Sequence, residues 1–215
     1  LTKTSGYDRF FAQAVGEVLG QDGLDRRWSE YPYTTDSGIM SYVFREALER
    51  EPTRKEIARA QDRYMALLDR HHEGCREVPG AAALIRQLRE DPGDWRIGFA
   101  TGNWLRPGRF KLEHGGIPHS SGELSTADHA LTREGIIQHG LDRMVGEFGA
   151  FERVVYVGDA RWDAEAAAAL KIGFLGRVPD DRQDRRVYGT DCFVPDFNDR
   201  DLFFERLEEA RVPDL

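Results

Sequence analysis

The sequence predicts an α/β protein, a parallel sheet with intervening helices, preceded by a helical bundle. Three observations carry this. Short apolar runs alternate with helical patterns from Val78 onward. The run Arg153-Val154-Val155-Tyr156-Val157 packs β-branched and aromatic residues consecutively, which suits a strand buried on both faces. The first third shows only helical periodicity.

In that first third, Phe11, Val15 and Val18 recur at helical spacing between Gly6 and Gly20. Ile39, Met40, Val43, Phe44, Ala47 and Leu48 repeat the pattern after Pro32, and Ile57, Ala60, Tyr64, Leu67, Leu68 and His71 repeat it after Pro52. Val78-Pro79-Gly80 then opens a short helix carrying Leu84, Ile85 and Leu88, closed by the Asp91-Pro92-Gly93-Asp94 turn. Strands are expected over Trp95–Ala100, Arg153–Val157, Ile172–Leu175 and Cys192–Val194. Helices are expected over Leu105–His114, Thr132–Phe148 and Asp163–Leu170. The stretch with Arg182, Arg185 and Arg186 reads as a solvated loop.

Composition narrows the function. The 215 residues are 40% hydrophobic, 11% aromatic and 32% charged, enough apolar material for a packed core. A net charge of -8 argues against a broad nucleic-acid footprint. No run approaches the length of a membrane span and no apolar signal core opens the chain, so neither membrane nor secretion is indicated and the cytoplasm is the expected compartment. Cys75 and Cys192 fall in no CxxC pattern, and His71-His72 with Cys75 lacks a paired set of zinc ligands. GxSxG, P-loop and GxGxxG patterns are missing from the sequence.

Ligands of open α/β sheets bind beyond the carboxyl ends of the strands, so the residues closing each strand are the candidates for chemistry. Two ends stand out. Thr101-Gly102-Asn103 offers a hydroxyl, a glycine permitting close backbone approach, and free N–H groups at the following helix start, the parts of a phosphate cradle. An ordinary turn with Asn as cap is the plainer alternative. Gly158-Asp159-Ala160-Arg161-Trp162-Asp163 places two carboxylates four residues apart near a helix start, where Mg²⁺ finds one or two carboxylates and completes its shell with water and phosphate oxygens. The plainer alternative makes Asp163 a helix cap. Only four lysines occur, Lys3, Lys55, Lys111 and Lys171. Lys111, two turns into the helix after Asn103, suits a phosphate or carboxylate counter-charge, or is a surface residue. Asp36, in the loop before the second helix of the bundle, reads as solvent-facing or substrate-facing.

The order of these pieces resembles the haloacid dehalogenase-like hydrolases, specifically their phosphatases with a helical cap, of the phosphoglycolate phosphatase-like kind. The resemblance rests on Phe99-Ala100-Thr101-Gly102-Asn103 as the second motif of that family and Val155 to Asp163 as the fourth. It implies a Rossmann-like parallel sheet core (residues 1–5 and 78–215) with an inserted helical-bundle cap (6–77). It also implies that Thr101 and the amides of Gly102 and Asn103 bind a phosphoryl group, that Asp159 binds Mg²⁺ with Asp163 supporting the site, and that Lys111 fills the family's lysine role. That lysine more often stands later in the chain, where this sequence has Arg133. The implied activity is Mg²⁺-dependent hydrolysis of a small phosphorylated metabolite through an aspartyl-phosphate. The alternatives are a catalytically silent protein of the same fold and a metal-independent haloacid dehalogenase.

One departure matters. The family nucleophile lies in a DxDGT motif closing the first strand, and Leu1-Thr2-Lys3-Thr4-Ser5-Gly6 looks like the segment that follows it. In this fold that strand is central, flanked by those ending at Thr101 and Asp159, and its loss leaves two edges unpaired. A longer chain supplying the strand and its aspartates upstream of Leu1 is the expectation.

Overall fold

The computed structural model describes residues 1–4, 6–21, 23–24, 30–179 and 186–215. Ser5, Arg182 and Arg185 therefore lie outside the described residues, as does the side chain of Arg186. The elements run β1 (Thr2–Thr4), α1 (Tyr7–Leu19), α2 (Asp36–Leu48), α3 (Arg54–Arg70), β2 (Cys75–Glu77) and α4 (Ala81–Glu90). They continue with β3 (Phe99–Ala100), α5 (Leu105–His114), β4 (Leu124–Ser125), α6 (Arg133–Phe148), β5 (Val155–Gly158), α7 (Arg161–Leu170), β6 (Gly173–Arg177), β7 (Phe193–Val194) and α8 (Arg200–Glu209). All three expected bundle helices and all four expected strands form. Among the described residues no helix is long and apolar enough to cross a membrane.

Two compact units divide the chain, one of residues 1–76 with 98–140, the other of residues 77–97 with 141–215. In the first, α1 and α3 pack along their apolar faces. Phe11 is fully buried and meets Tyr64 edge-on at 5.9 Å and Trp104 at 5.4 Å. Local chemistry starts these helices where they start. Thr35 caps α2 by accepting from Gly38 N–H, and Thr53 with Glu56 forms a reciprocal capping box on α3. Strand β3 pairs in parallel with β4, Phe99 opposite Leu124 and Ala100 opposite Ser125, and the ladder extends by Thr101 N–H to Ser125 O at 2.9 Å.

In the second unit, β5, β6 and β7 form a parallel sheet in that order. Ala164 and Ala167 of α7, both fully buried, pack in one apolar cluster with Phe174, Val178, Tyr188 and Phe193. Small residues there let helix and sheet approach closely. The two cysteines, Cys75 in the first unit and Cys192 in the second, are both buried and free, and their thiols donate to Lys111 O and Arg206 O.

Three expectations are corrected. Trp95–Ala100 supplies only a two-residue strand, because Trp95 N–H is drawn back to Pro92 O in the preceding turn and the partner β4 is itself two residues long. Strand β5 is half-buried along its length rather than buried on both faces. Its strand partner among the described residues is β6 alone, as β4 is for β3, so each is the edge of its sheet. Helix α7 begins at Arg161, two residues before Asp163, which places that aspartate inside the first turn.

Candidate functional site

The turn after β3 is held from several sides. Thr101 Oγ1 accepts from Asn103 N–H at 3.3 Å. A Cβ on Gly102 would lie 2.8 Å from Thr34 O and 3.0 Å from Arg133 Nη2, so glycine is required for this approach, and the Arg133 guanidinium lies directly against the turn. Lys111 Nζ donates to Asn103 Oδ1 at 2.7 Å. Its ammonium also faces the rings of Tyr7 and Tyr64 at 5.7 and 5.9 Å. Burial pulls the Lys111 pKa below the usual lysine value, while Asp36, Cys75 and Asp8 act the other way. Lys111 is thus no solvated surface lysine, and Thr101, Gly102, Asn103 and Lys111 come together in one unit.

Asp36 corrects the sequence reading. It is neither in a loop nor solvent-facing: it is the first residue of α2 and 1% exposed. Its carboxylate accepts from Trp104 N–H at 2.9 Å and from Asn103 Nδ2 at 3.2 and 3.3 Å, and its own N–H donates to Gly102 O at 2.7 Å. Burial raises its pKa to about 6, against the lowering effects of Lys111, Trp104 and Asn103, with Asp128 adding to the rise.

The start of α5 is likewise not a row of free donors. Trp104 N–H goes to Asp36, and Leu105 N–H goes to Asp128 Oδ2 at 2.6 Å. Two side-chain carboxylates have taken the positions an anion would use at this helix start. Among the described residues the Thr101 hydroxyl hydrogen and the Gly102 N–H have no hydrogen-bond partner, and the Arg133 guanidinium lies close to Gly102. Past Trp104 lies a cavity of about 280 Å³, whose lining includes Ser37, Met40, Glu51, Trp104, Asp128 and His129.

In the second unit, Asp159 leaves β5 and Asp163 turns back toward it. Asp163 Oδ2 accepts from Asp159 N–H at 3.1 Å and Ala160 N–H at 3.2 Å, and its Oδ1 accepts from Tyr156 OH at 3.3 Å. A Cβ on Gly158 would meet Asp163 Cβ at 2.5 Å, which fixes glycine there. Asp163 is buried and shapes the loop, whereas the Asp159 side chain is 53% exposed. Arg177, the last residue of β6 and nearly buried, donates to Asp159 Oδ2 at 2.5 Å. Asp159 Oδ1 has no protein partner among the described residues. An exposed carboxylate oxygen on an ordered loop fits a hydrated Mg²⁺, which asks for one or two carboxylates and retains water.

Arg177 was legible by the same rule that found Thr101 and Asp159, since it too closes a strand. Nothing in the local pattern signalled that Asp36 is buried; only the fold brings it to Asn103, 67 residues away.

No family model and no curated protein matches the sequence. Solved structures do. A hydrolase from Pseudomonas syringae matches with a TM-score of 0.66 at 16% sequence identity, over 97% of this chain and 94% of that one. CbbY from Rhodobacter sphaeroides, in complex with phosphate, matches with 0.64 at 18% identity, over 92% and 91%. A haloacid dehalogenase family hydrolase from Deinococcus radiodurans, with bound phosphate and sodium, matches with 0.55 at 16% identity, over 100% and 94%. The fold is therefore haloacid dehalogenase-like, a Rossmann-like α/β architecture with a helical cap.

Proposed function

We propose that the protein is a phosphatase that hydrolyses a small soluble phosphate monoester with Mg²⁺, through an aspartyl-phosphate, in the cytoplasm. The observation that carries this reading is the turn closing β3: a threonine hydroxyl and a glycine N–H on adjacent residues, with Arg133 against the turn and Lys111 bonded to Asn103. Two structures of the same fold hold phosphate, which adds support.

In this reading Thr101 Oγ1 and Gly102 N–H donate to phosphoryl oxygens, and the Arg133 guanidinium offsets the charge that spreads over them in the transition state. Lys111 acts one step back, holding Asn103 through its carbonyl oxygen. Asp159 is the Mg²⁺ ligand and Asp163 sets its loop; when bound, the metal would supply the positive charge that phosphoryl chemistry uses. The attacking carboxylate is not assigned to any residue of these motifs. Residues 6–77 act as the cap. The cavity beside Trp104, lined by two carboxylates, suits a hydroxylated leaving group rather than a second anion. The test is Asp159→Asn in the full-length protein, with p-nitrophenyl phosphate turnover followed across a Mg²⁺ titration. A fall in kcat/KM of about a hundredfold or more is expected, and turnover indifferent to the substitution would remove Asp159 from the metal site.

The Arg177 contact is the one observation that favours the metal-independent reading, because a guanidinium already answers the Asp159 charge. Under the phosphatase proposal Mg²⁺ takes Oδ1 while the guanidinium holds Oδ2, and the two cations oppose each other on one carboxylate. A partly exposed ion pair is worth about 1 kcal/mol, so Arg177→Met is expected to tighten Mg²⁺ binding roughly fivefold, measured by calorimetry without substrate. Unchanged affinity would show that Arg177 and the metal do not compete.

A further inference from the structure

The Asp36 carboxylate lies at the first turn of α2, yet it serves another helix. Two of its contacts go to the turn after β3, Trp104 N–H and Asn103 Nδ2, and its own N–H closes a third contact with Gly102 O. The Asn103 amide is thereby fixed in one orientation, nitrogen toward Asp36 and oxygen toward Lys111 Nζ. A reversed amide would set a donor against the Lys111 ammonium and an acceptor against a carboxylate. Chemistry and geometry agree on a single linear arrangement: carboxylate, amide, ammonium.

We propose that Asp36 is a positioning residue for the anion-binding turn, acting through Asn103 and Trp104 to hold Thr101 Oγ1 and Gly102 N–H toward the substrate. By occupying Trp104 N–H, it also keeps the anion off the start of α5 and on the Thr101 side. This rests on the phosphatase reading of the same turn. Burying a carboxylate is costly unless it is well paired. The groups facing Asp36 are Lys111 on α5, Asp128 after β4 and Tyr64 on α3, so its charge is answered chiefly by Lys111 across the Asn103 amide.

The test is a double-substitution cycle in the full-length protein, with Asp36→Ala, Asn103→Ala and both together. Each single change is expected to lower kcat for p-nitrophenyl phosphate at least tenfold with KM altered less than threefold, and the pair is expected to lose clearly less than the product of the two single losses, because part of the Asp36 effect runs through Asn103. Multiplying losses, or wild-type kcat in Asp36→Ala, would overturn the proposal. Where the alanine variant does not fold, Asp36→Asn replaces it, since asparagine keeps one acceptor for Trp104 but opposes its own amide to that of Asn103. Hydrogen exchange supplies a readout free of turnover: the Trp104 amide is expected to exchange at least tenfold faster in Asp36→Ala, which removes its acceptor, and unchanged exchange there contradicts the hold. Wild-type protein without turnover would instead overturn the phosphatase reading, which keeps the two failures distinct.

Discussion

Asparagine in place of Asp36 is expected to gain stability on wild type by about 2 kcal/mol as the pH rises from 4 to 7. In the folded chain burial raises the Asp36 pKa to about 6, from 3.8 for the free group. Below the lower value both folded and unfolded chains carry a proton on Asp36, and the fold is not penalised. Between the two values the unfolded chain releases its proton while the folded chain retains it, so wild type loses about 1.4 kcal/mol per pH unit until the buried group ionises too. Asparagine does not titrate, and the remaining charges are common to both proteins. The check is denaturant unfolding of both at pH 4, 5, 6 and 7. A difference that moves toward the variant with rising pH is the expected result; parallel stability curves would show that the Asp36 carboxylate is not held in a desolvated place. Together with the kcat loss expected of the same residue, this makes Asp36 a group that costs stability at neutral pH and is kept for the order it imposes on the turn.

Trp104→Ala is expected to destabilise the unit of residues 1–76 and 98–140 by about 3–5 kcal/mol. Trp104 is fully buried in the apolar cluster with Phe11, Ile39 and Phe44, and its indole N–H donates to Ser37 Oγ at 2.8 Å. Truncation removes the largest side chain of that cluster, opens a cavity, and strips Ser37 of its donor. Trp104→Phe keeps most of the apolar volume and loses the hydrogen bond, so a smaller cost of about 1–2 kcal/mol is expected from it. Urea unfolding of the two variants against wild type measures both. A loss below 1 kcal/mol for the alanine variant would mean that the residue after Asn103 does not anchor the turn.

Much of this arrangement was legible before any coordinates. Thr101-Gly102-Asn103 and Gly158-Asp159 stand out because they follow short apolar runs and precede helical patterns, and a strand-to-helix junction is a strong local signal. The bundle helices were equally plain, since their apolar residues recur at i, i+3 and i+4 and their caps lie in sequence order. Other parts carry weak local signals. Strand β4 is only Leu124-Ser125 and derives its identity from β3 across the ladder, which no local pattern encodes. Helix α8 leaves little local pattern although Asp199 caps it and Phe203 and Leu207 are buried, because its apolar stripe is narrow between Arg and Glu residues. Strand β5 reads as doubly buried from its composition, but its burial depends on a neighbour that the described residues do not provide. The Asp36–Asn103–Lys111 chain joins residues from two helices and a turn, and long-range polar pairing leaves no periodicity to read. An exposed aspartate before a helix and a buried one look alike in sequence.

The most direct test of the account is a single comparison on the full-length protein. Turnover of p-nitrophenyl phosphate is measured with Mg²⁺ and with EDTA, beside chloride release from 2-chloropropionate under the same two conditions. The account predicts phosphate release with Mg²⁺, its loss in EDTA, and no chloride release in either. Chloride release that persists in EDTA, or no turnover of either substrate, would contradict it.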